Sequence, residues 1–179
     1  VGVFAIVLRI FFSFSQPQMA DAMPNMITLL MVISVASMIL GNVLAVVQTQ
    51  MKRLLAYSSI AHGGYMLMGL VVLAGKDGDF ERGASAVMTY MAAYCFTSLA
   101  AFSVVVALGR KGDREISNYI GLENRQPWLA RILALSLLSM TGIPLTVGFI
   151  GKYGIFLIAA QQGYYTLLVI ALLTSVVAA

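Results

Sequence analysis

Four apolar stretches decide what this chain can become: Asn25–Val47, Leu54–Gly75, Gly83–Gly109 and Leu129–Ala160. A helix needs roughly 20 apolar residues to cross a hydrocarbon core ~30 Å thick, and all four reach that length. Two further stretches, Val1–Phe14 and Tyr164–Ala179, are too short to cross and run into the chain ends. With Val in first place and no polar tail after Ala179, both read as parts of longer helices. Residues 1–179 are therefore expected to form part of one transmembrane domain of a longer protein. The predicted fold is all-α: a polytopic transmembrane helix bundle of about six helices, two of them truncated.

Composition supports lipid as the solvent. Of 179 residues, 60% are hydrophobic and 10% charged, with mean hydropathy +0.92. Soluble domains carry about 25% charged residues, so a water-facing surface cannot be built from this set. The net charge of +4 is split between the connections, which sum to +2, and Arg9 and Lys152 inside spans, so it forms no patch for nucleic acid. One cysteine, Cys95, excludes an internal disulfide, and with one histidine it excludes a Cys/His metal site. Cys95 itself reads as a small buried apolar residue.

The charges alternate by connection. The second-to-third and fourth-to-fifth connections carry seven basic residues: Lys52, Arg53, Arg110, Lys111, Arg114, Arg125 and Arg131, against Asp113, Glu115 and Glu123. The intervening connections carry Lys76 and Arg82 against Asp21, Asp77, Asp79 and Glu81. An excess of Lys and Arg marks the cytoplasmic side, which places the first pair of connections there. Between them, Ile116, Tyr119, Ile120 and Leu122 suggest a short amphipathic helix on that surface.

Apart from Arg131 at the very start of its span, two charges fall inside apolar spans, Arg9 and Lys152. Arg9 lies near one end of its span, where its long side chain either snorkels to the interface or serves a functional role. Lys152 differs. Its span holds Gly142 and Pro144 near the middle, followed by Gly148, Gly151 and Gly154. Proline removes a backbone donor and clashes with the preceding turn. Freed backbone groups in lipid need partners in protein or in a wet cavity, and broken helices of this kind line ion and substrate sites. Lys152 stands eight residues before the end of its span, so at ~1.5 Å per residue it lies about 12 Å deep.

A charged lysine at that depth costs at least ~2.5–3.5 kcal/mol. A carboxylate partner, a file of water or loss of the proton offsets that cost. No acidic residue occurs in any of the six spans. Two readings follow: a lysine that gains and loses a proton, and a lysine locked in an ion pair with a group outside this sequence.

The third span presents a polar stripe. Ser58 and His62 are four residues apart and Tyr65 follows three later, so the three share a helical face. His62 is ten residues past Lys52, roughly 15 Å deep. Imidazole can relay a proton through its two nitrogens, or it can rest satisfied by Ser58 or a carbonyl. Lys52 suits a simple interfacial anchor. On the fourth span, Tyr90 and Tyr94 repeat at helical spacing with Thr97 and Ser98 beyond. They serve packing, or order water beside His62.

Two runs carry a family pattern: QTQMKRLLAYSSIAHGGYM from Gln48 and TGIPLTVGFIGKYGIF from Thr141. They resemble the antiporter-like membrane subunits of respiratory complex I, the proton-pumping NADH:quinone oxidoreductase. Within that family the match is nearest to the bacterial N-subunit branch, as is the run from Tyr90 to Val105.

The resemblance implies a bacterial inner-membrane protein built from two inverted repeats, with this chain holding most of the second. It implies the discontinuous helix at Gly142–Pro144 and a terminal proton-channel lysine at Lys152. Lys52 and His62 match polar positions near the second half-channel. The family's glutamate–lysine pair and central lysine would lie upstream of Val1. Other membrane subunits of the complex and the bilayer are the implied partners. NADH, FMN, iron–sulfur clusters and quinone would belong to other subunits, leaving this chain without a cofactor. A multi-subunit cation/proton antiporter and a structural membrane scaffold without an ion path are the alternatives.

Overall fold

The computed structural model describes residues 23–73, 80–109 and 115–178. The first apolar stretch with Arg9 and Asp21 lies outside those residues. So do Lys76, Asp77 and Asp79, and Arg110, Lys111, Asp113 and Arg114. Three long helices come first: α1 (Met23–Val46), α2 (Met51–Leu73) and α3 (Phe80–Gly109). Each contains a segment long and apolar enough to cross a membrane. A single-turn helix α4 (Leu122–Arg125) follows, then α5 (Pro127–Thr141), α6 (Val147–Gln161) and α7 (Tyr165–Val177).

The fifth span is thus two helices of 15 residues each, α5 and α6. At ~1.5 Å per residue neither reaches across a ~30 Å core alone. The surface helix expected around Ile116–Leu122 is instead a 3-10 turn over Ile116–Tyr119 followed by α4. Gly121, in a left-handed conformation at φ 73°, separates the two. Only part of the segment packs: Leu122 is buried, whereas Ile120 is exposed. Cys95, expected to be buried, is half-buried.

Close helix approach sets the architecture. A Cβ on Gly41 would stand 2.5 Å from the backbone nitrogen of Ala61, and one on Gly64 would stand 2.8 Å from the carbonyl of Ser34. Small residues on facing helices let α1 and α2 pack backbone to backbone, as is common where lipid supplies no hydrophobic drive. Ser34 Oγ seals that contact by donating to Gly64 O at 2.7 Å.

One core, with Met38, Tyr65, Leu70, Tyr90, Ile155 and Ala171, joins α1, α2, α3, α6 and α7. A second, with Leu55, Val104, Leu122, Leu133 and Met140, joins α2 and α3 to α4 and α5. Ile116 N–H donates to Thr49 O at 2.9 Å, so the α1–α2 turn and the segment after α3 meet at one end of the bundle. That alternation agrees with the pairing of connections inferred from their charges.

Candidate functional site

The site grows out of the interruption between α5 and α6. Gly142 ends α5 at φ 87°, in the left-handed region. Its N–H donates to Ser139 O at 3.2 Å and the N–H of Ile143 donates to Leu138 O at 3.3 Å. These paired bonds form a Schellman cap, which satisfies two of the carbonyls every helix end leaves open. Pro144 comes two residues after Gly142, where it cannot resume the helix. Leu145 also has positive φ, at 78°. Thr146 then caps α6, its Oγ1 accepting from Phe149 N–H at 3.3 Å. Gly148 N–H donates to Ser139 Oγ at 3.1 Å. The freed backbone groups are held by protein, as a break at membrane depth requires.

Lys152 lies six residues after the Thr146 cap. Side chains on a helix lean toward its N-terminus, so the lysine stem runs back to the break. Nζ donates to Thr141 O at 2.9 Å, the carbonyl at the end of α5. A helix C-terminus carries partial negative charge and favours a cation there. Nζ also donates to Ser175 Oγ of α7 at 3.1 Å. The face of the Tyr65 ring lies 5.1 Å from Nζ. A desolvated cation over an aromatic face gains roughly 2 kcal/mol.

The residue is 4% exposed, yet no carboxylate among the described residues reaches it. The ion pair formed among them, Arg131 with Glu123 at 3.2 Å, is solvent-exposed and distant in the fold. A cavity of about 540 Å³ opens beside Lys152 between the break, α6 and α7. Apart from Thr141, Lys152, Tyr153 and Ser175, apolar residues line it.

His62 is buried on α2, one ring away. Its Nδ1 pairs with the Tyr90 hydroxyl of α3, and its ring lies 4.6 Å from that of Tyr94. Tyr65 meets it edge-on at 6.1 Å. Gly151 allows this meeting of helices: a Cβ there would stand 2.9 Å from Tyr90 Cα, so α6 presses against α3 beside the histidine.

The fold thus gathers Lys152, His62, Tyr90 and Tyr94 with the Gly142–Pro144 break. It does not gather Ser58 and Lys52. Ser58 is half-buried and has no hydrogen bond to His62, while Ser59 sits beside the Tyr94 hydroxyl. Lys52 is exposed near the end of α3, its Nζ 3.7 Å from where a Gly109 Cβ would stand. Thr97 and Ser98 spend their hydroxyls on their own helix, donating to Ala93 O and Cys95 O.

The residues absent from the sequence reading are Thr141, which acts through its carbonyl, and Ser175, Asn42 and Thr174. Polar residues facing inward on the apolar helices α1 and α7 were the available signal for the last three.

A model of the NADH:quinone oxidoreductase/Mrp antiporter transmembrane family matches residues 1–178. NADH-quinone oxidoreductase subunit N of Methylococcus capsulatus is 45% identical over 163 residues, covering 89% of this chain and 32% of that protein. Chloroplastic NAD(P)H-quinone oxidoreductase subunit 2 of Chara vulgaris is 44% identical over 84% of this chain and 29% of its own length. The chain thus spans about a third of the length of these relatives.

Among solved structures, respiratory complex I from Thermus thermophilus with bound NADH contains a chain superposing at TM-score 0.80 and 26% identity. That match covers 96% of this chain and 35% of the other. The Mrp complex of Dietzia shares the fold at TM-score 0.76 and 22% identity, over 89% of this chain and 29% of its counterpart. The sequence, its broken helix and its helical bundle belong to the NADH:quinone oxidoreductase/Mrp antiporter transmembrane family.

Proposed function

We propose that this chain is part of an N-type membrane subunit of a proton-translocating NADH:quinone oxidoreductase, and that Lys152 is a proton-exchanging group on its path. One observation carries the reading. A lysine amine is buried at a helix break with two neutral oxygens and an aromatic ring as its partners, and no carboxylate among the described residues fixes its charge. Such an amine is held well enough to be charged and loosely enough to give up its proton. His62, with Tyr90 on one side and Tyr65 on the other, is the relay nearest to it. Tyr94 stands ready to order water there, and the cavity beside Lys152 admits it.

In this reading NADH oxidation and quinone reduction take place in other subunits, and this chain transfers only protons. Its partners are the other membrane subunits and the bilayer of a bacterial cell membrane. The connections at the α1–α2 end face the cytoplasm, and the chain forms most of the second of two inverted repeats. Lys52, at the α1–α2 end and far from Lys152, acts as an anchor or at the mouth of the path.

Replacement of Lys152 by Leu or Ala in the intact complex tests the assignment. Quinone reduction and proton pumping are measured together. Protons moved per quinone reduced should fall severalfold, and retention of wild-type values for both activities would sink it. The family also includes subunits of Mrp antiporters, and the shared fold supports a cation/proton antiporter as the second reading. Co-purification with antiporter subunits rather than redox subunits would select it. A scaffold role predicts a permanently paired Lys152, which the neutral partners at Nζ disfavour.

A further inference from the structure

Tyr65 stands between Lys152 and His62, and its surroundings lock it in place. Its side chain is 1% exposed. Asn42 Nδ2 on α1 donates to its hydroxyl at 3.3 Å, and the same amide donates to Thr174 O on α7 at 2.9 Å. Thr174 Oγ1 already commits its proton to carbonyls of its own helix, Ile170 O at 2.9 Å and Ala171 O at 3.1 Å. A hydroxyl has one proton to give, so when Thr174 donates to its own helix Tyr65 is free to donate across the 3.1 Å contact. Three helices therefore meet in one closed polar clamp inside an apolar core.

The clamp has two consequences at Lys152. With its hydroxyl pinned and its ring in T-shaped contact with those of His62 and Phe156, Tyr65 keeps one face toward Nζ. And because Ser175 follows Thr174 directly, the bonds that hold Thr174 also hold the backbone carrying the hydroxyl to which Nζ donates, and that hydroxyl is itself a hydrogen-bond neighbour of Tyr65. Two of the three groups around the amine are thus set by residues that do not touch it.

We infer that the Asn42–Tyr65–Thr174 clamp positions Lys152: the Tyr65 ring is the face that holds the protonated amine, and the hydroxyl bonds keep that ring and Ser175 in register with it. Tyr65 and Asn42 are positioning residues in this scheme, which rests on the reading that Lys152 exchanges protons. Removal of the ring takes away the cation's apolar-side partner. Removal of either end of the Asn42–Tyr65 bond leaves the ring present but free to shift.

The test compares Tyr65→Leu, Tyr65→Phe, Asn42→Leu, the Tyr65→Phe/Asn42→Leu double variant and Lys152→Leu in the intact complex. The quantity read is protons translocated per quinone reduced, with the amount of assembled complex measured alongside. Tyr65→Leu should lower the ratio severalfold, toward that of Lys152→Leu, while Tyr65→Phe keeps most of it. Asn42→Leu should match Tyr65→Phe, and the double variant should fall no further than either single, because all three open one clamp.

A merely structural role would reduce assembled complex and leave the ratio untouched, and that result overturns the inference. Should Tyr65→Leu fail to assemble, the other three variants decide: additive losses, or wild-type ratios throughout, overturn it equally. Normal pumping by Lys152→Leu removes the underlying reading. Loss there with unchanged pumping in Tyr65→Leu removes only the clamp's role.

Discussion

At the scale of single residues, Gly142 and Lys152 depend on each other. Gly142 supplies the positive φ that ends α5, and its missing side chain leaves room for the lysine stem. A Cβ there would stand 3.0 Å from Lys152 Cδ and 3.4 Å from Nζ. A non-glycine residue in the left-handed region costs ~1–2 kcal/mol, so Gly142→Ala should destabilise by about that much. On the proposed role of Lys152, pumping should fall as well although that residue is intact, because the stem must move off Thr141 O. Thermal denaturation of the purified complex and pumping per quinone reduced check the two effects. A variant with wild-type values for both would show that the contact is unimportant. Lys152 was legible in sequence because a charge in an apolar helix is costly wherever it sits. Its acceptors were not: a backbone carbonyl has no sequence signature, and Ser175 lies 23 residues away.

At the scale of elements, the break between α5 and α6 proves to be a stop and a restart. Proline drew the eye in the sequence, yet Gly142 terminates α5 through its cap and Pro144 lies in the connection. The restart depends on Thr146, and loss of such a cap costs ~1 kcal/mol, so Thr146→Ala should lower stability by that order. Denaturation of the assembled complex measures it, and no change would mean that the cap bond is replaced by water.

Gly148 is the stricter position. A Cβ there would fall 1.7 Å from Ser139 O, a separation no small adjustment relieves. Gly148→Ala should therefore drive α6 from α5, break the Gly148–Ser139 bond and reduce the amount of assembled complex, as native electrophoresis would reveal. Normal assembly of that variant would contradict the packing. Pro144 and the glycines of the fifth span announced the interruption. Two helices with separate caps were beyond what periodicity can show.

For the whole molecule, one principle recurs: helices approach where glycine or alanine permits, and polar side chains fasten them where they meet. The α1–α2 contact at Gly41 and Gly64 brings Asn42 and Tyr65 within reach of each other and of α7. Gly64→Leu should part these helices and carry Tyr65 away from Lys152, lowering both assembled complex and its pumping ratio. Unchanged assembly would show that the bundle tolerates a wider α1–α2 gap.

The membrane class, the long helices, the meeting of two basic connections at one end of the bundle, the interruption at Gly142–Pro144 and the placing of Lys152 and His62 inside apolar helices were all present in the sequence. Each rests on the cost of polar or charged groups in lipid, which composition and spacing report directly. The neighbours of those residues were not. Ser58 shares a helical face with His62 by spacing, but the packing of α3 against α2 gives the histidine to Tyr90. Asn42, Thr174 and Ser175 look like isolated polar residues in apolar helices until three helices close around Tyr65. Spacing along one helix determines which residues share a face, whereas only the approach of other helices decides what that face meets.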